Sequence, residues 1–333
     1  MKYTRIGGME VSQFALGTWH LPSSGTADVN GIYDVDREKT DRILKKAVDL
    51  GINLFDTANT YHGTISDTHL YPEYSGNAEI ILGNYLRSLD RETYVVATKV
   101  RAEVARHPNG GGLSRKHILW QSRESLRRLG TGYIDLYQIH WEDPMTPHEE
   151  TMDALNDLVH KGSINYIGIS NHGAENVEDM IRISRERGWE RFVSMQESYN
   201  LLDRRFEDGK ASIASRHGMA LLAYVPLAEG ILTGKYRGGI PPGSRASYVT
   251  QMAGNIVKSQ RIIDEVINAA AEIQAEPAQI SLSWILRKQK DLGIAIIPIL
   301  GATSPEHLEV NVESLEIKLP DEIYRRLESL TSR

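Results

Sequence analysis

Eight short apolar runs, rich in β-branched residues, recur along the chain, and longer helical patterns separate them. The runs are Gln13–Gly17, Asn53–Asp56, Tyr94–Lys99, Tyr133–His140, Ile164–Ser170, Phe192–Gln196, Ala220–Tyr224 and Ile294–Pro298. They are largely apolar throughout and do not alternate with polar residues, which is typical of strands buried on both faces of a parallel sheet. Eight such strands with helices between them predict an α/β fold, the (β/α)8 or TIM barrel.

The segments between the runs carry apolar residues at helical spacing. Gly51 follows the first as a stop, Ser114 is a suitable N-cap for the second, and Pro147 suits the first turn of the third. The predicted helices are Asp36–Leu50, Ser114–Leu129, Pro147–Lys161, Glu175–Arg187, Asn255–Ala275, Pro277–Lys288 and Pro320–Leu330.

An open, doubly wound sheet is the structural alternative. Such a sheet usually carries G-x-G-x-x-G after its first strand, and no such sequence follows Gly17. The opening segment Met1–Val11, with Gly7 and Gly8 at its middle, predicts a β-hairpin that closes the barrel floor. Because no internal repeat and no low-complexity linker is visible, residues 1–333 are expected to form one domain.

Composition excludes several classes of protein. The 333 residues include no cysteine, so disulfides, thiolate metal sites and cysteine nucleophiles are excluded. A net charge of -6 with mixed signs argues against nucleic acid as the main partner. No segment has the pattern of a signal peptide or of a bilayer-spanning run, so we expect a soluble, cytoplasmic protein without a membrane partner.

Four ionisable residues stand at or just beyond the ends of three successive predicted strands. Asp56 and Tyr61 come with the second strand, Lys99 ends the third, and His140 ends the fourth. In a barrel these ends converge on one face, so the four side chains can meet.

Together these residues suit the reduction of a carbonyl group. Hydride adds to carbon, negative charge grows on oxygen, and a nearby acid supplies a proton. Tyr61 is the expected acid, and Lys99 is expected to lower its pKa from the usual value of ~10. Asp56 would keep Lys99 charged and in place, and His140 would stabilise the developing charge on oxygen.

Each of the four also has a structural interpretation. Tyr61 could be a packing residue, Lys99 and Asp56 could form an ion pair at the barrel rim, and His140 could be a satisfied buried histidine. Taken singly, these interpretations are the stronger ones. The joint position of all four at strand ends favours an active site.

The sequence around these positions resembles the aldo-keto reductases through nearly the whole chain, in the same order and spacing. The matching segments are Phe55–Ala58 with Tyr61, Ala97–Lys99 and Asp135–His140. The resemblance implies that the four residues form a catalytic tetrad. It also implies a nicotinamide cofactor that binds without a Rossmann fold.

The resemblance further implies positions for that cofactor. Ser170, Asn171 and Gln196 would bond the nicotinamide carboxamide, and Tyr224 would stack on the ring. The segment Leu232–Ser247 looks closest to the potassium-channel β-subunit branch, in which the positions of Lys235 and Arg245 contact phosphates. The other cofactor positions carried over are Pro226, Leu227, Gly234, Gly301, Thr303, His307 and Asn311.

The residues expected at the adenine end of the cofactor depart in part from those of the relatives. Thr303 stands where several relatives carry arginine, and His307 and Val310 replace a glutamine and a glutamate of the channel-like branch, whereas Asn311 is kept. Lys235 and Arg245 favour NADPH because cations suit a phosphate. NADH is the alternative.

Trp19 and Trp141 are the expected substrate contacts, since aromatic side chains at the mouth offer an apolar surface to the non-reacting part of a carbonyl compound. The long segment His62–Gly76 is expected to fold over the site as a lid, with a simple surface loop as the alternative. Its His62 and His69 have no third partner at ligand-like spacing, so no metal is expected.

The leading functional hypothesis is an NADPH-dependent reductase of small aldehydes and ketones. A nicotinamide-nucleotide-sensing regulatory subunit with slow turnover is the second. A metal-dependent barrel hydrolase or isomerase is the third, and it is disfavoured because only His140 and Asp56 qualify as ligands and Lys99 lies between them. The sequence leaves open whether the chain forms a homo-oligomer.

Overall fold

A closed barrel of parallel strands forms the centre of the structure, a computed structural model that describes residues 1–64, 71–242, 244–247 and 249–331, without the side chains of residues 245, 250 and 251. The strands in chain order are β1 (Tyr3–Ile6), β2 (Met9–Ser12), β3 (Ala15–Gly17), β4 (Ser23–Ala27), β5 (Tyr33–Val35), β6 (Leu54–Asp56), β7 (Val95–Val100), β8 (Ile134–Ile139), β9 (Ile164–Ser170), β10 (Phe192–Ser198), β11 (Ala220–Tyr224) and β12 (Ile296–Leu300). The described helices are α1 (Arg37–Asp49), α2 (Asn77–Leu86), α3 (Arg115–Leu129), α4 (His148–His160), α5 (Ala174–Arg187), α6 (Lys210–His217), α7 (Thr250–Ile273), α8 (Pro277–Leu292), α9 (Pro305–Glu313) and α10 (Asp321–Thr331).

The barrel consists of β3 and β6 to β12, each hydrogen-bonded to the next in chain order. It closes where β12 pairs with β3, with Leu300 beside Leu16, and Leu16 in turn pairs with Phe55 of β6. All eight pairings are parallel. The predicted (β/α)8 barrel is therefore confirmed, and every predicted strand corresponds to one barrel strand.

The lower part of the barrel interior is an apolar layer covered by the N-terminal hairpin. Ile6 and Val11 from β1 and β2 are fully buried. They belong to one cluster with interior side chains of the barrel strands, including Leu54, Val95 and Ala97 near the starts of β6 and β7. The hairpin therefore closes the barrel floor, as predicted from Met1–Val11.

Local signals account for the helix ends. Asp36 caps α1, where its Oδ1 accepts a hydrogen bond from the Lys39 amide at 3.0 Å. Ser114 caps α3 in the same way, and Gly130 ends it with φ 66°. All seven helices predicted from apolar spacing are present, and so is α9, which the resemblance at the adenine-ribose end implies near Pro305. Helix α7 begins at Thr250, five residues before the prediction, and α8 runs on to Leu292.

Three elements had no counterpart in the prediction. Helices α2 and α6 are short, at 10 and 8 residues, and neither begins with a side-chain cap. The antiparallel hairpin of β4 and β5 follows β3, and all residues of β4 are exposed, so the segment lacks an apolar pattern. Among the described residues, no helix is long and apolar enough to cross a membrane.

Candidate active site

A polar layer lies above the apolar layer, towards the carboxyl ends of the barrel strands. Successive residues of a strand point to opposite faces, so Lys99 shares the inward face of β7 with Val95 and Ala97 of the floor layer. Asp56 stands at the end of β6, and Gln196 lies in β10. All three polar side chains are buried. The buried polar and charged side chains of the barrel interior therefore lie at its mouth, whereas the floor is apolar.

Lys99 is the centre of the predicted tetrad. Its ammonium group donates to Asp56 Oδ2 at 2.6 Å, to the Thr57 carbonyl at 2.9 Å and to the Tyr61 hydroxyl at 3.2 Å. The Tyr61 hydroxyl lies 3.4 Å from His140 Nε2. The structure therefore brings the four predicted residues together in one connected group, although Tyr61 lies five residues beyond the end of its strand.

The pKa of Tyr61 corrects one expectation from the sequence. Burial of the hydroxyl raises this pKa well above its usual value, and the nearby Asp56 carboxylate raises it further. Burial also lowers the pKa of Lys99, against the opposing effect of Asp56. Lys99 therefore does not bring the phenol into the neutral range in this state. The phenol stays protonated, which is the form that a proton donor requires.

His140 is held as a neutral imidazole. Burial lowers its pKa well below the usual value, and the cations Lys99 and Arg101 lower it further. The indole of Trp141 stacks on the imidazole with ring centroids 3.6 Å apart and an interplanar angle of 13°. Among described atoms, His140 Nδ1 is buried without a hydrogen-bond partner. A neutral, fixed imidazole can hydrogen-bond a polar group placed beside Tyr61.

Gln138 is a site residue that the sequence analysis missed. It lies in β8, two residues before His140, and it is fully buried. Its amide lies 3.4 Å from Asp56 Oδ1, which also accepts from Gln196 Nε2 at 2.7 Å. A glutamine within a predicted buried strand, two residues before His140, was the available signal. Asp56 is therefore held by amides on one oxygen and by Lys99 on the other.

The predicted carboxamide contacts lie beside the tetrad. Ser170 ends β9, and its hydroxyl donates to the Gln196 carbonyl at 2.8 Å. The Asn171 amide donates to Ser170 Oγ at 2.9 Å and to the His140 carbonyl at 3.0 Å. The hydroxyl of Tyr224, the last residue of β11, donates to Asn171 Oδ1 at 2.7 Å. These four predicted residues therefore form one hydrogen-bonded network adjoining His140.

Backbone strain concentrates at the same mouth. Six described residues other than glycine have positive φ, and five of them follow the carboxyl ends of barrel strands. These five are Arg101 after β7, Asn171 after β9, and Val225, Ala228 and Glu229 after β11. Residues other than glycine rarely adopt a positive φ. Those that do cluster at functional sites, where the surrounding structure enforces the strained backbone. Sequence reasoning had no means of finding this strain.

The predicted phosphate contacts follow β11. Pro226 is buried, Leu227 is partly buried, and Gly234 adopts φ 80° where a short 3-10 segment ends. Lys235 comes next, with an exposed side chain. Arg245 begins a one-turn 3-10 segment, and its side chain lies outside what the structure describes. Of the two cations predicted to contact the phosphates, only Lys235 has a described side chain.

The predicted adenine-side residues surround the start of α9. Gly301 follows β12, and a β-carbon there would meet open space. Ser304 caps α9 by accepting from the His307 amide at 3.3 Å, and Thr303 Oγ1 lies 3.2 Å from His307 Nδ1. Asn311 is buried in the helix. The positive end of the α9 dipole at this position is suited to an anion, although the proline that begins α9 has no amide hydrogen and the His307 amide is already bonded to Ser304.

These residues fit a nicotinamide dinucleotide. Amide and hydroxyl groups lie beside the tetrad, a lysine is exposed on the loop after β11, and an open glycine precedes a capped helix start. The amide and hydroxyl groups beside the tetrad would hold a carboxamide. The lysine after β11 would contact a diphosphate, and the start of α9 would contact a ribose phosphate. The nicotinamide, when bound, supplies hydride.

The predicted substrate contacts and lid are only partly described. Trp19 is partly exposed just beyond β3, and Trp141 is 39% exposed while it stacks on His140. Of the segment His62–Gly76, residues 65–70 lie outside the described residues, and these include His69. In the described remainder, the Tyr74 hydroxyl bonds Asp28 and Asn30 of the β4–β5 hairpin. We call this contact the rim contact; whether the segment acts as a lid stays a prediction.

Comparison with known proteins places the chain in a family. The model of the aldo/keto reductase family matches residues 13–332. A Schizosaccharomyces pombe protein named for a voltage-gated potassium channel subunit beta is 36% identical over 335 residues, covering 97% of this chain and 90% of that protein.

Two reductases of Escherichia coli are also similar along most of the chain. L-glyceraldehyde 3-phosphate reductase is 33% identical, covering 94% of this chain and 87% of that protein. NADH-specific methylglyoxal reductase is 32% identical, covering 96% of this chain and 95% of that protein. The family match spans nearly the whole chain, and the resemblance stated from the sequence is confirmed. The chain belongs to the aldo/keto reductase family and is an NAD(P)H-dependent oxidoreductase that acts on carbonyl compounds.

Proposed function

We propose that the protein reduces small aldehydes and ketones to alcohols with NADPH, and that Tyr61 is the proton donor. The observation that carries this proposal is the position of the Lys99 ammonium group, which bonds both the Asp56 carboxylate and the Tyr61 hydroxyl. This arrangement places a buried cation beside the phenol, where it can stabilise the phenolate that remains after proton donation.

Each residue has a distinct part in the proposed reaction. Tyr61 gives its proton to the carbonyl oxygen as negative charge grows there, and the phenolate that remains lies 3.2 Å from the Lys99 ammonium group. That attraction offsets part of the cost of forming a buried anion. His140, neutral and 3.4 Å from the Tyr61 hydroxyl, orients the carbonyl oxygen. Asp56 keeps Lys99 in place.

NADPH is preferred in this proposal over NADH. Lys235 is exposed on the loop after β11, and the positive end of the α9 dipole faces the proposed site of the ribose phosphate. The similarity to an NADH-specific methylglyoxal reductase favours the opposite preference. Titration of the protein with each nucleotide decides between them, and a lower dissociation constant for NADH would reject the NADPH assignment.

The reductase is tested by NADPH oxidation with a panel of small aldehydes, in wild type, Tyr61→Phe and Tyr74→Phe. Tyr74 lies in the rim contact and makes hydrogen bonds outside the tetrad, so it is the matched control. We expect turnover in wild type and Tyr74→Phe and a loss of about 10²–10⁴-fold in Tyr61→Phe. Undiminished turnover in Tyr61→Phe would reject Tyr61 as the donor.

A nicotinamide-nucleotide-sensing regulatory subunit is the second candidate. The similarity to a protein named for a voltage-gated potassium channel subunit beta favours it. Tight NADPH binding without appreciable turnover on any aldehyde of the panel would support this candidate and reject the first. Under either proposal the chain acts as one domain, and it acts in the cytoplasm. Light scattering would measure its oligomeric state.

A further inference from the structure

Arg101 stands on the inward-facing row of β7, one step above Lys99. Val95, Ala97 and Lys99 occupy that row below it, and β7 ends at Val100. The Arg101 side chain is partly exposed, and its Nε donates to the Glu142 carbonyl at 3.0 Å, two residues beyond His140. Arg101 therefore connects the loops that follow the third and fourth barrel strands, close enough to His140 to affect its pKa.

The backbone of Arg101 is strained. Its φ is 139°, in the region that favours glycine, and the Gly112 amide bonds its carbonyl at 2.8 Å. A residue with a side chain persists in such a conformation only where the surrounding structure enforces it, at a cost of about 1–3 kcal/mol. Glycine would remove this cost, so the presence of arginine at this position points to a use for the side chain.

The guanidinium keeps donors free for a further partner. Its one described hydrogen bond uses Nε and a neutral carbonyl, and among the described residues no carboxylate forms an ion pair with it. Lys99, by comparison, is neutralised by Asp56. Among the described residues Arg101 is thus a cation beside the site without an ion-pair partner, consistent with its contribution to the lowered pKa of His140.

Two acidic residues that follow His140, namely Glu142 and Asp143, bond other groups. Glu142 Oε1 accepts from the Gly173 amide at 2.6 Å and from Asn176 at 2.8 Å. Asp143 Oδ2 accepts from the Leu113 amide and the Thr146 hydroxyl, both at 2.7 Å. Arg101 also lowers the pKa of Asp143, so the two charges are near each other, yet they form no ion pair.

We propose that Arg101 binds an anionic group, a carboxylate or a phosphate, on the carbonyl substrate. The two Nη groups form a planar fork suited to either anion, and charge-assisted bonds of this kind are stronger than those between neutral groups. The site then prefers an aldehyde that carries a negative charge over its neutral analogue. This inference rests on the proposed reductase function and names its substrate class.

Two matched substrate pairs test the inference: succinic semialdehyde against butanal, and glyceraldehyde 3-phosphate against glyceraldehyde. The ratio of kcat/KM within each pair is measured in wild type, Arg101→Met, Arg101→Lys, Arg101→Gly and the control Arg106→Gln. Arg106 is an exposed arginine on the same loop, 3.7 Å from Glu73. The pair that responds to the substitution identifies carboxylate or phosphate as the anion.

In wild type we expect the charged member of at least one pair to be preferred. In Arg101→Met and Arg101→Gly this preference falls about 10- to 100-fold, mainly through KM, while the neutral aldehydes keep their kcat/KM. Arg101→Lys retains part of the preference, and Arg106→Gln all of it. Arg101→Gly also unfolds at no lower urea concentration than wild type, because glycine relieves the strained φ.

Two results would overturn the inference. One is an unchanged preference in Arg101→Met and Arg101→Gly. The other is an equal loss on charged and neutral aldehydes in folded variants, which would make Arg101 a structural anchor for the Glu142 carbonyl. If wild type reduces none of the four aldehydes, the proposed function fails instead. Calorimetric titration of the NADPH complex with 3-phosphoglycerate and succinate then tests anion binding, and equal affinity in wild type and Arg101→Met rejects it.

Discussion

The Lys99 ammonium group is a fully buried charge paired with a buried carboxylate. Its side chain is fully buried, and that of Asp56 is 5% exposed. A buried pair of this kind gives little net stability, but removal of one partner leaves the other charge without compensation. The pair is thus a requirement of the site and not a main source of stability.

We expect Lys99→Met to lower the free energy of unfolding by about 3–5 kcal/mol, because it strands the buried Asp56 carboxylate. The double variant Asp56→Asn with Lys99→Met should lose less than the sum of the single variants, since neither charge is then left alone. Urea unfolding at neutral pH measures all three variants. Strictly additive losses would contradict the account of Lys99 and Asp56 as a coupled pair.

His172 predicts how stability depends on pH. It is buried, its Nδ1 lies 2.7 Å from the Ser170 carbonyl, and burial lowers its pKa from 6.5 to about 4. The unfolded chain therefore binds more protons than the folded chain between pH 6.5 and 4, and stability is lost as the pH falls through that window.

Between pH 7 and pH 5 this group should remove roughly 2 kcal/mol of stability. His172→Gln should therefore lose that much less than wild type over the same interval, whereas His107→Gln, which changes an exposed histidine, should behave as wild type. Urea unfolding at the two pH values gives the difference. An identical pH dependence in wild type and His172→Gln would show that His172 does not resist protonation.

The site residues could be predicted to different degrees from the sequence. Asp56, Tyr61, Lys99 and His140 were identifiable because each carries a charge or a titratable group at or just beyond a strand end. The φ of Arg101 depends on how the following loop is held, and the pKa of Tyr61 depends on how much water its pocket excludes. Neither property is a function of residue type and spacing.

Two helices at the scale of secondary structure share the same kind of cap but have different surroundings. Ser114 caps α3 and Ser304 caps α9, and each hydroxyl accepts from the amide three residues on at 3.3 Å. The start of α9 follows Gly301 and Thr303, which are proposed to hold the adenine end of the cofactor. Substitution of each serine in turn can therefore distinguish the effect of a lost cap on stability from an effect on cofactor binding.

Ser304→Ala and Ser114→Ala should each lower the free energy of unfolding by about 1 kcal/mol, the usual cost of a lost N-cap. Only Ser304→Ala should weaken NADPH binding, by severalfold, because α9 begins at the proposed phosphate site and α3 does not. Fluorescence titration with NADPH measures both variants. Equal affinity in the two would place the phosphate away from α9.

The strands were predictable because their apolar runs are the interior of the barrel itself, and the observed ranges differ from the predictions by few residues. The β4–β5 hairpin was not, since β4 is exposed along its whole length and only Val35 of β5 is buried. Its position depends on contacts with a distant segment, such as the bonds of Tyr74 to Asp28 and Asn30.

The whole molecule depends on the floor as well as on the mouth. Ile6 is fully buried in the cluster that fills the lower barrel, where side chains from six barrel strands meet. A cavity at this position removes contacts from strands distributed around the entire barrel. Shortening one side chain in the floor therefore tests whether the whole chain unfolds as a single unit.

Ile6→Ala should lower the free energy of unfolding by about 2–5 kcal/mol. If residues 1–333 form one domain, the loss should appear as a single transition, with far- and near-ultraviolet circular dichroism shifted to the same extent. Arg5→Ala, a change at an exposed neighbour in the same strand, should have a much smaller effect. Two separated transitions would reject the single-domain prediction.

The central claim is that Tyr61 supplies the proton to the carbonyl oxygen. The most direct measurement is a single turnover in which protein saturated with NADPH is mixed with an aldehyde and loss of the reduced nicotinamide is followed by stopped flow. We predict that Tyr61→Phe binds NADPH as wild type does and reacts about 10²–10⁴-fold more slowly. An unchanged rate in Tyr61→Phe at equal NADPH occupancy would contradict the proposed mechanism.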